Sequence, residues 1–218
     1  MDQTTERPPA ERPFRTLGIG VALLVLILGL AAILARRSPP PLPVLGKVQD
    51  FSLTNQLGQT VTLENLRGKV WLADIIFTRC PGPCARMTRQ LAEIQAAVPA
   101  RSEARLVSLT TDPEFDGPEV LLKYANHYHT DPARWQFLTG TKLAIAALAI
   151  DSLKLTTVEK PPEARTSADD LFIHSTIFVL VDKQARLRGV YQTGGEDIEW
   201  SKVRAEILSA IKQLEREP

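Results

Sequence analysis

Cysteine is scarce in this chain of 218 residues: it occurs twice, at Cys80 and Cys84. Two cysteines exclude the class of small secreted domains that several disulfide bonds hold together. A surplus of positive charge is also absent, because 26 basic side chains are balanced by 25 acidic ones and the formal net charge is +1. Binding along a nucleic-acid backbone needs a sustained basic surface, so the composition argues against DNA or RNA as a partner.

A long apolar run near the N-terminus, residues 17–35, contains no charged residue and no proline. As an α-helix its 19 residues span about 28 Å, close to the hydrocarbon core of a bilayer, which is about 30 Å thick. The run has no polar face and is longer than the apolar core of a signal peptide, about 7–15 residues. We therefore predict a tail over residues 1–16 and an uncleaved transmembrane helix over residues 17–35.

Charge does not set the orientation of this segment, because the basic residues on its two sides are equal in number. An N-terminal anchor usually leaves the larger C-terminal part outside the cytoplasm, and we expect this orientation. Residues 36–44 include the stretch SPPPLP, which predicts an extended linker. Residues 45–218 are then long enough to form one domain with its own core.

The domain shows the pattern of an α/β protein. Its strongest strand, residues 70–78, is apolar on both faces apart from Asp74, which is typical of a central strand covered on two sides. We predict further strands and helices, the second and third helices being capped by Asp116 and Thr141. The strands cover residues 50–53, 61–63, 104–110, 175–181 and 187–191, and the helices cover residues 84–98, 118–128, 141–150 and 198–214. This order predicts a mixed central sheet flanked by helices, as in the thioredoxin fold.

The two cysteines lie where the central strand turns into a helix, in the segment Cys80-Pro-Gly-Pro-Cys84. Residues four apart share a helix face, and the N-terminus of a helix lowers the pKa of a thiol. Two neighbouring thiolates suit Cu(I) or Zn, and the same sulfurs can close a disulfide. The residues alone leave three interpretations open: a structural disulfide, a redox pair without metal, and a metal site.

Three histidines are available as a further ligand. His127 and His129 are two positions apart near the end of a predicted helix, so they do not share a face, and we interpret them as surface residues. His174 precedes an apolar strand whose start should face the helix that carries the cysteines. Together with Cys80 and Cys84 it predicts a trigonal site with two sulfur ligands and one nitrogen ligand, which suits Cu(I).

Two absences argue against ordinary thiol chemistry. Thioredoxin-like oxidoreductases carry a proline at the strand start opposite their cysteines, but residues 172–176 read FIHST, and the cysteine spacer has three residues rather than two. A peroxiredoxin-like peroxidase is also disfavoured. Thr78 stands two rather than three residues before Cys80, and Ala73 occupies the place of the required proline.

Three other residues near the predicted site receive structural interpretations. Met87 lies on the apolar stripe of the helix after the cysteines, where core packing is favoured over a thioether contact with a metal. Asp74, inside an apolar strand, must be paired or neutral, because an unpaired buried charge is costly. The indole rings of Trp71 and Trp135 are assigned to packing.

Four stretches carry a resemblance to a known family: GKVWLADIIFTRCPGPC at residues 68–84, VSLTTDP at residues 107–113, WQFLTG at residues 135–140 and HSTIFVLVD at residues 174–182. Through them the chain resembles the Sco/SenC family of copper chaperones for cytochrome c oxidase assembly. The resemblance covers about residues 50–214. The combination of CxxxC with a distant His-Ser-Thr strand is its most specific part.

The resemblance implies a membrane-anchored, thioredoxin-like domain on the periplasmic side of the inner membrane, or in an equivalent extracytoplasmic space. It implies copper held by Cys80, Cys84 and His174, as Cu(I) with Cu(II) left open, and its delivery to the binuclear copper site of cytochrome c oxidase subunit II. The chain would then bind and transfer a metal rather than act as an enzyme. The alternative is a membrane-anchored thiol-disulfide oxidoreductase that reduces the cysteines of a copper-site protein.

Two positions need comment beside this resemblance. Asp112 matches the family's Asp-Pro position, and we assign it no ligand role. Ile173 departs from those members that place aspartate directly before the histidine. The departure removes a charge beside the imidazole without removing a metal ligand, and it is expected to alter copper affinity.

Overall fold

The structure, a computed structural model, describes residues 20, 23–30, 40–80, 82–167 and 171–218. The chain divides into two compact units, Met1–Pro41 and Leu42–Pro218. In the predicted transmembrane segment, residues 20 and 23–30 are helical, and the rest of that segment lies outside the described residues, as does the predicted tail. Within the described ranges, no helix is long and apolar enough to cross a membrane.

The unit Leu42–Pro218 is built on a mixed sheet of eight strands with a separate two-stranded ribbon. The order across the sheet is β1-β10-β9-β4-β5-β6-β2-β3, and β7 pairs with β8 in the ribbon. The β4–β5 and β5–β6 pairs are parallel, and the other pairs are antiparallel. The strands are β1 (Gly46–Lys47), β2 (Ser52–Asn55), β3 (Thr60–Thr62), β4 (Trp71–Ile76), β5 (Arg105–Thr110), β6 (Trp135–Thr139), β7 (Thr157–Glu159), β8 (Phe172–His174), β9 (Ile177–Val181) and β10 (Arg186–Gln192).

Five α-helices of the described domain complete the fold: α1 (Leu63–Leu66), α2 (Pro83–Ala97), α3 (Pro118–His127), α4 (Lys142–Ala146) and α5 (Trp200–Arg216). A π-helical turn, Ala147–Ser152, continues α4, and a short 3₁₀ helix occupies Pro162–Ala164. Proline in the first turn of α2 and α3 suits a position where the backbone N–H has no helical partner. The predicted mixed α/β fold with a helix-flanked sheet is confirmed.

The strand β4 separates two hydrophobic clusters, because its side chains alternate between the faces of the sheet. Leu72 and Ile76 pack into the cluster that contains α2 and α5. Trp71 and Ile75 pack into the cluster on the other face. All six residues of β4 are buried, as expected of a central strand. The strand is therefore held from both sides, and the loop that follows it starts from a rigid point.

The predicted elements differ from the structure at several places. The sequence did not reveal β1, β6, β7 and β8, of which three have only two or three residues. The predicted strand over residues 175–181 is wrong in its first two positions, because Ser175 and Thr176 lie between two sheets. There Ser175 N–H donates to the Thr156 carbonyl at 2.9 Å, and the Thr176 carbonyl accepts from Thr193 N–H at 2.9 Å. The chain thereby passes from the ribbon to the main sheet.

One predicted helix cap is confirmed and one is wrong. Thr141 accepts a hydrogen bond from Ala144 N–H at 3.1 Å and caps α4 as expected. Asp116 does not cap α3, since Gly117 occupies that position. The Asp116 carboxylate instead accepts hydrogen bonds from the Thr78 N–H at 3.0 Å and from the Thr78 and Thr110 hydroxyls. This buried carboxylate holds the loop after β4, so it serves the site rather than the helix.

A buried ion-pair network joins three distant parts of the domain. Arg188, only 3% exposed, donates to the carboxylates of Asp182 and Glu217, each at 2.7 Å. It also donates to the carbonyls of Leu42 at 2.7 Å and of Pro43 at 3.1 Å. These bonds fix the start of the domain next to β10 and to the C-terminal end of α5. Breaking such a pair by removing one member leaves an uncompensated buried charge.

Asp74 is a buried acid in the middle of β4, with 0% exposure. Among the described residues, neither of its carboxyl oxygens has a hydrogen-bond partner. Burial raises the pKa of Asp74 to about 7, and the nearby Ser108 hydroxyl and His174 ring offset this only in part. Of the two states expected for this residue, paired or neutral, Asp74 therefore takes the neutral one: its carboxyl is protonated in mildly acidic solution.

Asp74 should make the stability of the domain depend on pH. In the unfolded chain its carboxyl ionises near its ordinary pKa of 3.8, but in the folded chain it ionises only near 7. Its contribution to stability is therefore complete below pH 3.8 and declines up to about pH 7. From this group alone, the free energy of unfolding should fall by about 4 kcal/mol between the two ends of this pH range. We expect Asp74→Asn to remove this decline, which urea unfolding of both proteins at about pH 4.5 and about pH 8 would measure. The same pH dependence in both proteins would contradict the assignment.

Candidate metal centre

Three elements bring the predicted ligands together at one end of the sheet. Cys80 lies in the loop after β4, Cys84 lies in the first turn of α2, and His174 ends β8. The ligand atoms of these three residues all lie within 4.8 Å of one another. The His174 Nε2 atom is 3.0 Å from the Cys84 Sγ atom and 4.0 Å from the Cys80 Sγ atom. Within the described part of the chain, no other group of three His, Cys, Asp or Glu residues is placed in this way.

Hydrogen bonds fix the described residues on both sides of the cysteine loop. The Cys80 N–H donates to the Phe77 carbonyl at 3.2 Å, which closes a turn at the end of β4. The Phe77 N–H points back towards the Cys84 sulfur at 3.5 Å. Between them, Thr78 is tied to Asp116 through its N–H and its hydroxyl. The loop therefore presents both sulfurs on the same side without needing a disulfide, and both cysteines are free.

The His174 ring is oriented by the backbone of the next residue and by one aromatic ring, against which a second ring packs. Its Nδ1 atom lies 3.2 Å from the Ser175 carbonyl oxygen. When Nδ1 carries the proton and donates it to this carbonyl, Nε2 presents its lone pair to the sulfurs, as a metal ligand requires. The Phe77 ring meets the imidazole edge to face at 5.9 Å, and Phe172 packs on Phe77 at 5.2 Å. These contacts restrict the ring to the side of α2.

The two thiols differ in their readiness to ionise. The pKa of Cys80 is lowered to about 4, chiefly because the Cys84 thiol donates a hydrogen bond to its sulfur, with a further contribution from His174. The pKa of Cys84, which is 1% exposed, is raised by burial and then by the neighbouring Cys80 sulfur. The metal-free pair therefore favours one thiolate and one thiol that share a proton. A cation that replaces this proton allows both sulfurs to act as thiolate ligands.

The donor set fits a soft, low-coordinate metal ion. Two thiolate sulfurs and one imidazole nitrogen suit Cu(I), whereas a structural zinc site has four protein ligands. Cys80 is half-buried and Cys84 is buried, so the group is accessible from the Cys80 side. The geometry therefore allows a metal to be held by three ligands and approached by a fourth.

The other residues considered from the sequence lie outside the group of three ligands. His127 and His129 are exposed and do not belong to the group. Met87 is fully buried in the core beside α2. Asp112 is bound to the Arg79 guanidinium at 2.6 Å, and this guanidinium also lies 4.0 Å above the centre of the Phe115 ring. Trp71 and Trp135, which were assigned to packing, both lie in the core.

Sequence reasoning missed the residues that support the ligands. Phe77 contacts the imidazole, Phe172 packs on Phe77, and Asp116 holds Thr78 in the cysteine loop. The two phenylalanines lie within a few residues of the cysteines and the histidine, so proximity was an available signal for them. Asp116 lies 38 positions from its partner Thr78, and no spacing rule links the two.

The chain is similar to proteins that have been characterised elsewhere. The SCO1 protein homolog of Bacillus subtilis (strain 168) is 35% identical over 170 residues, which are 77% of this chain and 84% of that protein. The solved structure of BsSco, described as a member of the Sco family of cytochrome c oxidase assembly proteins with a disulfide switch, is 32% identical. Its TM-score is 0.67, and the match covers 82% of this chain and 99% of that one.

A third comparison concerns the fold alone. The structure of Bradyrhizobium japonicum ScoI with copper bound matches with a TM-score of 0.62 at 23% identity, over 77% of this chain and 99% of that chain. A family model described as SCO1/SenC matches residues 44–209, which is most of the unit Leu42–Pro218. With this match, and with the 35% identity to the Bacillus subtilis protein, the chain belongs to the SCO1/SenC family.

Proposed function

We propose that this chain is a copper metallochaperone, which holds Cu(I) on Cys80, Cys84 and His174 and passes it to an acceptor protein. The observation that carries this proposal is the meeting of two thiol sulfurs and one imidazole nitrogen within 4.8 Å. Soft thiolates with an imidazole form a Cu(I) donor set. Support also comes from the copper-bound ScoI structure, which shares the fold.

Transfer would proceed by exchange of ligands rather than by release of free copper. An incoming thiolate of the acceptor approaches from the half-buried Cys80, since the other sulfur, on Cys84, is buried. The acceptor's thiolate adds to the copper as Cys80 leaves it, and the remaining two ligands follow. Cys84 then regains a proton, because its burial disfavours the free thiolate. This proton return favours complete transfer.

The acceptor we propose is the binuclear copper site of cytochrome c oxidase subunit II. The description of BsSco as a cytochrome c oxidase assembly protein supports this assignment. We also propose that residues 17–35 form a single-pass anchor in the inner membrane, with the domain in the periplasm or an equivalent space. The charge-free apolar run supports the anchor.

A Cu(I) competition titration tests the proposed ligands. The fully reduced full chain in detergent, kept without oxygen, should bind one copper ion. Cys80→Ser and Cys84→Ser should each abolish tight binding, because one thiolate is lost from a site with only two. His174→Ala should weaken binding about tenfold or more, which is the effect of losing at least about 1.4 kcal/mol of ligand interaction.

His127→Ala is the matched control for the histidine variant, since His127 is exposed and lies outside the group. It should bind copper as the unchanged chain does. Copper affinity that is the same with and without the His174 imidazole, or binding that never reaches one ion per chain, would refute the three-ligand site.

A second candidate function is thiol-disulfide exchange, which the two adjacent free thiols and the lowered pKa of Cys80 favour. The Cys80 thiolate attacks a partner disulfide, which forms a mixed disulfide and releases one partner thiolate. The Cys84 sulfur then attacks the mixed disulfide and gives up its proton to the second partner sulfur, which leaves as a thiol as the Cys80–Cys84 disulfide forms. The partner thiolate released first takes its proton from solvent. The partner gains two electrons and two protons, and an external dithiol is needed to reduce the chain again.

Oxidised glutathione separates this activity from copper binding. The reduced full chain should convert one equivalent of oxidised glutathione into two of the thiol, measured by alkylation and mass spectrometry. His174→Ala should reach the same extent of reaction, because the imidazole forms no bond in any step, and Cys80→Ser should leave the oxidised glutathione unreduced, because the attacking thiolate is lost. Failure of the unchanged chain to react would eliminate the second function and leave copper transfer.

A further inference from the structure

A groove of about 650 Å³ lies at the end of the domain away from the metal centre. Its lining includes Lys69 and Val70, which directly precede β4, whereas the cysteines follow β4. A six-residue strand separates two such points by about 20 Å. The floor is apolar and is formed by Val70, Val98, Leu208 and Ile211. The groove thus belongs to a different surface from the copper site.

Basic side chains dominate the rim of this groove. Lys69, Arg101, Lys183, Lys212 and Arg216 line it, against the two acids Glu103 and Glu215. Of the two acids, Glu215 is already engaged by the Ser102 hydroxyl.

Three of the basic residues, Arg101, Lys212 and Arg216, are exposed. None of the three forms a salt bridge in the part of the chain that the structure describes. Each therefore leaves its positive charge available to an anion from outside the chain.

The chain enters the domain at this same end. Leu42 and Pro43 are fixed by Arg188, which also holds Glu217. Lys183, on the groove, donates to the Glu217 carbonyl at 2.6 Å, and Arg216 directly precedes Glu217 in the chain. The preceding residues 36–41 reach at most about 20 Å when fully extended. A tether of this length keeps any surface that holds the preceding segment within about 20 Å of the point where the chain enters the domain.

We propose that this groove docks on a bilayer by binding anionic phospholipid headgroups. Its basic rim complements their phosphates, and its position beside the tether supplies a high local concentration of lipid. Docking would turn the opposite end of the domain, which carries Cys80, Cys84 and His174, away from the bilayer towards a partner. The inference goes beyond copper binding, and it rests on the proposed anchor over residues 17–35.

Hydrogen exchange of the full chain in lipid nanodiscs tests this docking. Residues 97–103 and 208–216 should exchange more slowly in discs containing phosphatidylglycerol than in discs of phosphatidylcholine alone. The triple variant Arg101→Gln, Lys212→Gln, Arg216→Gln should lose this protection. Three basic groups at about fivefold each lower the docking equilibrium about hundredfold.

A control variant of equal charge carries Arg89→Gln, Lys123→Gln and Lys202→Gln, three exposed residues that do not line the groove. It should keep the protection. Loss of protection in this control, equal exchange in both kinds of disc, or the same protection from inorganic phosphate with neutral discs would each overturn the lipid site. A chain that does not co-elute with neutral discs would instead show that the anchor is wrong, which separates the two proposals.

Discussion

The 3.0 Å approach of the His174 Nε2 atom to the Cys84 Sγ atom is the contact on which the proposed chemistry depends. It joins residues that are 90 positions apart. On one side, burial of β4 on both faces and the bond from Thr78 to Asp116 fix the cysteine loop. On the other side, the β7–β8 ribbon carries the histidine, and Phe77 restrains its ring. The two thiols and the imidazole are thereby placed together before any metal arrives.

At this end of the domain the backbone is held firmly, whereas the protonation of the two cysteines can change easily. Cys80 ionises readily and is half-buried, whereas Cys84 is buried and holds its proton. A metal ion that displaces the shared proton gains two thiolate ligands, and when the ion leaves, the buried sulfur takes up a proton from solvent again. This asymmetry suits a protein that must bind its cargo and also release it. It also makes the pair competent for thiol exchange, so the imidazole is the group that distinguishes the two functions.

The group formed by Cys80, Cys84 and His174 could be predicted from the sequence because each residue lies next to a strong local signal. The cysteines interrupt the junction of an apolar strand and a helix, and His174 adjoins another apolar strand. The short strands β7 and β8 could not be predicted, because two or three residues carry no periodicity and their pairing is set by tertiary contacts. The role of Asp116 could not be predicted for a similar reason. An aspartate just before a helix can cap that helix or bind a distant residue such as Thr78, and the sequence alone does not distinguish the two.

X-ray absorption spectroscopy at the copper edge, on the fully reduced chain loaded with one equivalent of Cu(I), tests the central claim most directly. The placement of Cys80, Cys84 and His174 predicts two sulfur neighbours and one nitrogen neighbour for the metal. Coordination by sulfur alone, or by more nitrogen than one imidazole supplies, would contradict the three-ligand site, even if copper bound tightly.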